Sequence, residues 1–228
     1  MKTAILTPLK AELTILLEAL EKSGLKKREY HSKTMKIAEF QEIDLLLTQG
    51  GHGKTQFGIQ SQYILDRLAQ IELLVCAGAS GALCDTVQVG DLVVATETVE
   101  HDYNLQFVNR PLPRFAGDRE TIDVLQKVHL KTEPNFSIYF GTVASGDEDV
   151  VTLARRKELN ELTGCIVVGW EGAGGARACK FSQKRYIELR AVTDTADHTA
   201  SEDFESNLAT AMDNLANFVI QWQTTSLF

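Results

Sequence analysis

Short runs of consecutive apolar residues alternate along the chain with longer stretches in which apolar positions recur every three or four residues. Unbroken apolar runs suit strands buried on both faces, and the three-to-four spacing suits helices that cover them. The pattern therefore predicts an α/β fold around a largely buried sheet. The strands it predicts are Thr3 to Leu6, Met35 to Phe40, Asp44 to Thr48, Leu73 to Ala77, Leu92 to Thr98, Ser137 to Ala144, Cys165 to Val168 and Ile187 to Val192. The helices are Ala11 to Ser23, Thr55 to Ile71, Arg119 to His129, Thr152 to Glu161, Glu171 to Phe181 and Glu202 to Gln223. No linker, repeat or low-complexity stretch divides them, so residues 1–228 read as one domain with room for a sizeable core.

In sheets of this kind ligands sit beyond the carboxyl ends of strands, where loops and helix N-termini converge. Polar or glycine-rich sequence follows several of the strands: TPLKAE, QGGHGK, AGASGAL, ASGDED, GWEGAGG and TDTADH. Glu12, Glu171 and Asp194 each lie in one of these loops. Each acid alone has an ordinary explanation as a first-turn helix residue or a cap. Gathered at one sheet edge they would repel one another unless a ligand needs them, so together they are a candidate site. His52 sits in the QGGHGK turn and is either a surface histidine or a pocket residue, and the turn lacks the spacing of a Walker or dinucleotide loop. The AGASGAL stretch, with Ala79, Ser80 and Gly81, is expected as a loop presenting amides to a sugar or base.

Composition narrows the ligand. The formal charge of −8, with no Lys/Arg stripe, argues against a nucleic-acid partner and leaves small neutral or cationic ligands. Cys76, Cys84, Cys165 and Cys179 show no metal-binding spacing and read as core thiols of a reducing compartment, so neither a metal nor a cofactor is expected. MKTAILTPLKAEL is too short and too polar for a signal-peptide core, and no stretch has the length of a membrane span. A cytoplasmic protein without membrane contact is expected.

Four segments in order carry a resemblance: TPLKAEL; GGHGK followed by AGASGALCDTVQVGDLVVATETVEHD; ASGDEDV; and VVGWEGAGGARAC with RAVTDTADHTASEDF. They resemble the methylthioadenosine/S-adenosylhomocysteine nucleosidase branch of the purine nucleoside phosphorylase superfamily, over residues 1 to about 220. The resemblance implies a three-layer α/β/α sandwich around a central mixed sheet, one nucleoside site per subunit, a homodimer, and cleavage of an N-glycosidic bond to a purine. It implies further that Glu12 activates the attacking water, Glu171 holds the ribose hydroxyls, Asp194 meets the purine and Phe204 lies near the 5′ end. Those residue types suit the chemistry. An acid at N7 neutralises the departing base while a carboxylate prepares water on the opposite face, and a carboxylate can accept from neighbouring 2′ and 3′ hydroxyls.

This sequence departs from the branch in several places. Gly169 and Trp170 stand where a second acid and a methionine are usual, Asp149 and Val150 where an aromatic or apolar residue faces the purine, and His52 where an apolar residue lines the 5′ pocket beside Leu9 and Phe204. A polar or extended 5′ group, or a modified purine, is the expected consequence. Phosphorolysis is the alternative reaction, but Cys76 and Ala79 stand where an arginine and a hydroxyl would hold phosphate. A nucleoside-binding protein without turnover is the other alternative, although such a protein has little use for Glu12. For the dimer, the segment Tyr103 to Phe115, YNLQFVNRPLPRF, carries more large side chains than a loop leaves in water.

Overall fold

Every residue of TAILT, Thr3–Thr7, is buried, as a strand covered on both faces requires. In the computed structural model, which describes residues 1–108, 110–131 and 135–225, this is β1. There follow α1 (Lys10–Lys22), β2 (Arg28–Ser32), β3 (Met35–Phe40), β4 (Leu45–Gln49), α2 (Lys54–Arg67), β5 (Leu73–Ala82), β6 (Leu92–Glu100) and β7 (Arg114–Ala116). The second half contributes α3 (Arg119–Leu130), β8 (Ile138–Ser145), α4 (Leu153–Thr163), β9 (Val167–Gly169), α5 (Gly172–Ser182), β10 (Arg185–Asp194) and α6 (Ala200–Thr225).

The strands form a mixed sheet. β1 lies between β4 and β5 and runs parallel to both, with Ile5 opposite Leu47 and Val75. β5 is also parallel to β10, which pairs antiparallel with β6. β6, β8 and β9 run together, and β9 returns antiparallel to the end of β5. These pairings close a ring of β5, β10, β6, β8 and β9, from which β1, β4, β3 and β2 extend as an open sheet.

Alternation along the strands sorts side chains into layers. Ile5, Val75 and Ala77 meet Leu16 and Leu20 of α1, Leu125 of α3 and Leu215 of α6 on one face. Ala4, Leu6, Leu74 and Cys76 meet Phe57 of α2 and Ala176 of α5 on the other. The result is the expected helix–sheet–helix sandwich. α2 and α5 cross so closely that a Cβ on Gly174 would lie 2.2 Å from the Lys54 carbonyl oxygen, so only glycine fits there. Among the described residues no helix is long and apolar enough to cross a membrane.

Two strands escape the apolar pattern. β2, REYHS, is mostly exposed and is held by its pairing with β3; β7 is a three-residue strip paired to β6 that begins at the end of the segment Tyr103 to Phe115 and runs one residue past it. A third difference is a correction. AGASGA is not a loop but the second half of β5, paired with β10 from Gly78 opposite Arg190 through Gly81 opposite Asp194. Its residues are small because carboxylates cross it: a Cβ on Gly78 would lie 2.8 Å from Glu12 Oε1, and one on Gly81 would lie 2.6 Å from Asp194 Oδ1.

Candidate functional site

The second half of β5 is the floor of a cavity of about 350 Å³. Leu9 and Glu12 reach it from the β1–α1 turn, His52 from the turn after β4, and Ala79, Ser80 and Gly81 from β5 itself. Asp149 and Val150 come from the loop after β8, Trp170 and Glu171 from the junction of β9 with α5, Asp194 from the end of β10, and Phe204 from α6. All of the residues singled out in the sequence therefore line one space. They do not gather at a single sheet edge, because β9 runs against β5 and brings Glu171 back toward the middle of that strand.

Glu12 is buried, and both its oxygens accept backbone amides: Leu9 N donates to Oε2 at 2.7 Å and Ala79 N to Oε1 at 2.8 Å. β1 pairs with β5 only as far as Cys76, which leaves the Ala79 amide for Glu12. Burial pushes the Glu12 carboxyl up to about 7, against the opposing pull of the two amides. The group is therefore not fixed as a carboxylate but exchanges its proton near neutrality. Asp194 is also buried, accepting from Ala196 N at 2.9 Å and from the Thr193 hydroxyl at 2.9 Å. Burial raises its carboxyl above the usual carboxylate range, which suits a proton donor.

Glu171 precedes the first turn of α5 and is buried. Gly53 N donates to its Oε1 at 3.2 Å, and His52 Nδ1 lies 3.3 Å from the same oxygen. Gly51 and Gly53 both have positive φ, and this sharp turn is what brings His52 and the Gly53 amide to Glu171. The His52 ring stacks on Trp170 with centroids 4.3 Å apart, while more than half of its side chain stays exposed. Asp149 is exposed as well, and Val150 beside it is buried. Both polar departures thus stand in water at the mouth, and neither bears the cost of a buried unpaired group.

The loop of Asp149 is held from behind. Asp147 N donates to Asp102 Oδ2 at 2.9 Å, Lys54 N donates to Asp147 Oδ1 at 2.8 Å, and Arg155 grips both oxygens of Glu148 at 2.7 and 2.8 Å.

Sequence reasoning missed Arg190. It is 1% exposed and lines the cavity beneath Glu171, donating to Glu171 Oε2 at 3.4 and 3.5 Å, to Glu188 Oε1 at 2.7 Å and to the Ala79 carbonyl at 3.0 Å. The signal was present in YIELRAV, where opposite charges two residues apart share one face of an otherwise apolar strand.

A family model of the phosphorylase superfamily matches residues 2–222. The chain is 26% identical to the aminodeoxyfutalosine nucleosidase of Campylobacter jejuni over 226 residues, 97% of each chain. It is 27% identical to the 5′-methylthioadenosine/S-adenosylhomocysteine nucleosidase of Thermotoga maritima over 191 residues, 84% of this chain and 82% of the relative. Its fold matches that of the 5′-methylthioadenosine/S-adenosylhomocysteine nucleosidase of Helicobacter pylori, solved with butyl-thio-DADMe-Immucillin-A. The TM-score is 0.89 at 21% identity, covering 99% of this chain and 98% of that one.

Proposed function

We propose that this chain, which belongs to the phosphorylase superfamily, is a nucleosidase: it hydrolyses the N-glycosidic bond of a 5′-substituted adenosine-type nucleoside to a free purine and a ribose derivative. The observation that carries this reading is the convergence of Glu12, Glu171 and Asp194 on one cavity, two of them with carboxyls raised by burial. Asp194 donates a proton toward N7 as the C1′–N9 bond lengthens, so the base leaves neutral. Glu12 takes a proton from water as its oxygen closes on the cationic C1′, and Glu171 accepts from the 2′ and 3′ hydroxyls to fix the sugar for that attack. Ala79, Ser80 and Gly81 form the floor and Val150 a wall, and Leu9 and Phe204 supply the apolar side toward the 5′ carbon. The similarity to nucleosidases from Campylobacter jejuni and Thermotoga maritima supports the same reaction.

Water is favoured over phosphate by the state of Arg190. Its guanidinium is fully occupied by Glu188, Glu171, the Ala79 carbonyl and Cys76 Sγ, which leaves no fork for a dianion. The 5′ substituent is polar or extended, since a solvated His52 stands where an apolar residue usually lines the 5′ pocket. The active form is a homodimer, supported by Leu105, Phe107 and Val108, which stand 41%, 104% and 49% exposed on one loop; Asn109 of that segment lies outside the described residues. Four free cysteines support a cytoplasmic site of action. The reading is tested by measuring base release from a nucleoside panel with and without phosphate: release in phosphate-free buffer supports it, and release only on adding phosphate, with a sugar 1-phosphate as product, overturns it.

A further inference from the structure

Glu188 has no place in the chemistry described so far, yet it is a fully buried acid inside β10. Its Oε1 accepts from Arg190 Nε at 2.7 Å, and its Oε2 accepts from the Thr98 hydroxyl at 2.5 Å. Room for it has been cleared: a Cβ on Gly172 would lie 2.1 Å from Glu188 Oε2, and one on Gly169 would lie 2.6 Å from Arg190 Cζ. Two glycines that flank Glu171 in GWEG thus make space for the pair behind it.

The pair is asymmetric. Arg190 holds Glu188 at 2.7 Å but Glu171 only at 3.4 and 3.5 Å. A buried guanidinium next to a single carboxylate closes on it in a short bidentate contact, because little water competes. Here the short contact is taken by the acid that no ligand can reach. The acid that faces the cavity keeps the favourable charge beneath it, and its contacts with Arg190, Gly53 N and His52 Nδ1 are all 3.2 Å or longer, so none closes it off from a ligand.

We propose that Glu188 is a positioning residue: by engaging Arg190 it keeps Glu171 available to the ribose hydroxyls. This inference rests on the proposed role of Glu171 at the sugar. Neutralising Glu188 leaves Arg190 with one carboxylate partner, Glu171, and the two draw together at the expense of the sugar. The defect is confined to the hydroxyls that Glu171 binds, so it shows in discrimination between ribose and deoxyribose rather than in turnover as such.

The test compares S-adenosylhomocysteine with its 2′-deoxy counterpart in wild type, Glu188→Gln and Glu171→Gln. Gln at 188 keeps an acceptor for Arg190 Nε while removing the charge. Glu188→Gln is expected to raise KM for the ribose form more than for the 2′-deoxy form, which keeps only the 3′ hydroxyl for Glu171, cutting the ribose preference in kcat/KM at least fivefold. An unchanged preference, or an equal loss on both substrates, overturns the positioning role. Should Glu188→Gln not fold, Glu188→Asp serves, since it keeps the buried charge but draws the carboxylate back from Arg190 Nε; a smaller shift in the same direction is expected, and none overturns the proposal. Glu171→Gln separates the two levels. Loss of the preference there, without loss in Glu188→Gln, overturns only the role of Glu188. A wild-type preference in Glu171→Gln overturns the sugar reading itself and this proposal with it.

Discussion

The backbone amide of Ala79 donates to Glu12 Oε1 at 2.8 Å, joining the first helix to the strand that floors the cavity. The bond fixes where the candidate base points, while burial sets when it can act. A base must be deprotonated, so kcat/KM should rise with pH through about 7, where the Glu12 carboxyl loses its proton. Glu12→Gln should lower kcat roughly 10²-fold or more and erase that limb. A pH profile of both proteins checks this; retention of the limb in the variant would assign it to another group.

The same group makes stability depend on pH. Its folded carboxyl is raised from 4.5 to about 7, so between those values the folded chain binds more proton than the unfolded one. The contribution is fully present below about 4.5, is lost as pH rises toward 7, and is on the order of 3 kcal/mol. Denaturant unfolding at pH 5 and pH 8 should show wild type losing more stability than Glu12→Gln over that interval. Equal losses would mean that Glu12 is not protonated by burial.

Asp194→Asn keeps an acceptor for the Ala196 amide but removes the proton offered to the purine. Turnover should fall by roughly 10²-fold or more with little change in melting temperature. A larger methyl at its neighbour should act through sterics: Gly81→Ala puts a carbon 2.6 Å from Asp194 Oδ1 and should lower both stability, by about 1–3 kcal/mol, and activity. If Gly81→Ala is fully active, Asp194 does not need its observed position.

At the mouth, His52 should select against a short apolar 5′ group. Methylthioadenosine should be a poorer substrate than adenosylhomocysteine or a 5′-carboxylated analogue, and His52→Ile should narrow the gap. Comparison of kcat/KM across the three decides it. If methylthioadenosine is preferred tenfold or more and His52→Ile changes nothing, the solvated rim has no part in selectivity.

Phe107 is fully exposed on its loop. Light scattering at micromolar concentration should give twice the chain mass for wild type and the single chain mass for Phe107→Ser. A monomeric wild type would remove the homodimer.

Much of this site could be read in advance because its acids follow strands. Periodicity located β1, β9 and β10 and so the acids that follow them, but not that β9 runs against β5 and brings Glu171 in from the opposite direction. What could not be read was pairing. AGASGA looks like a loop because glycine and serine punctuate chains, and only its partnership with β10 and the two carboxylates crossing it explain small residues in a strand. β2 escaped because an exposed strand beside β3 has no apolar run. Arg190 and Glu188 were visible as charges at alternate positions of a buried strand, but their meaning depends on Glu171 arriving from β9, a contact that sequence spacing does not encode.

The most direct measurement is the fate of the attacking oxygen. Turnover of adenosylhomocysteine in ¹⁸O-water with phosphate present, followed by mass spectrometry of the sugar product, reports which nucleophile reached C1′. The account requires one ¹⁸O on C1′ of a free ribose derivative. A ribose 1-phosphate with no label at C1′, or no cleavage at all, would contradict it.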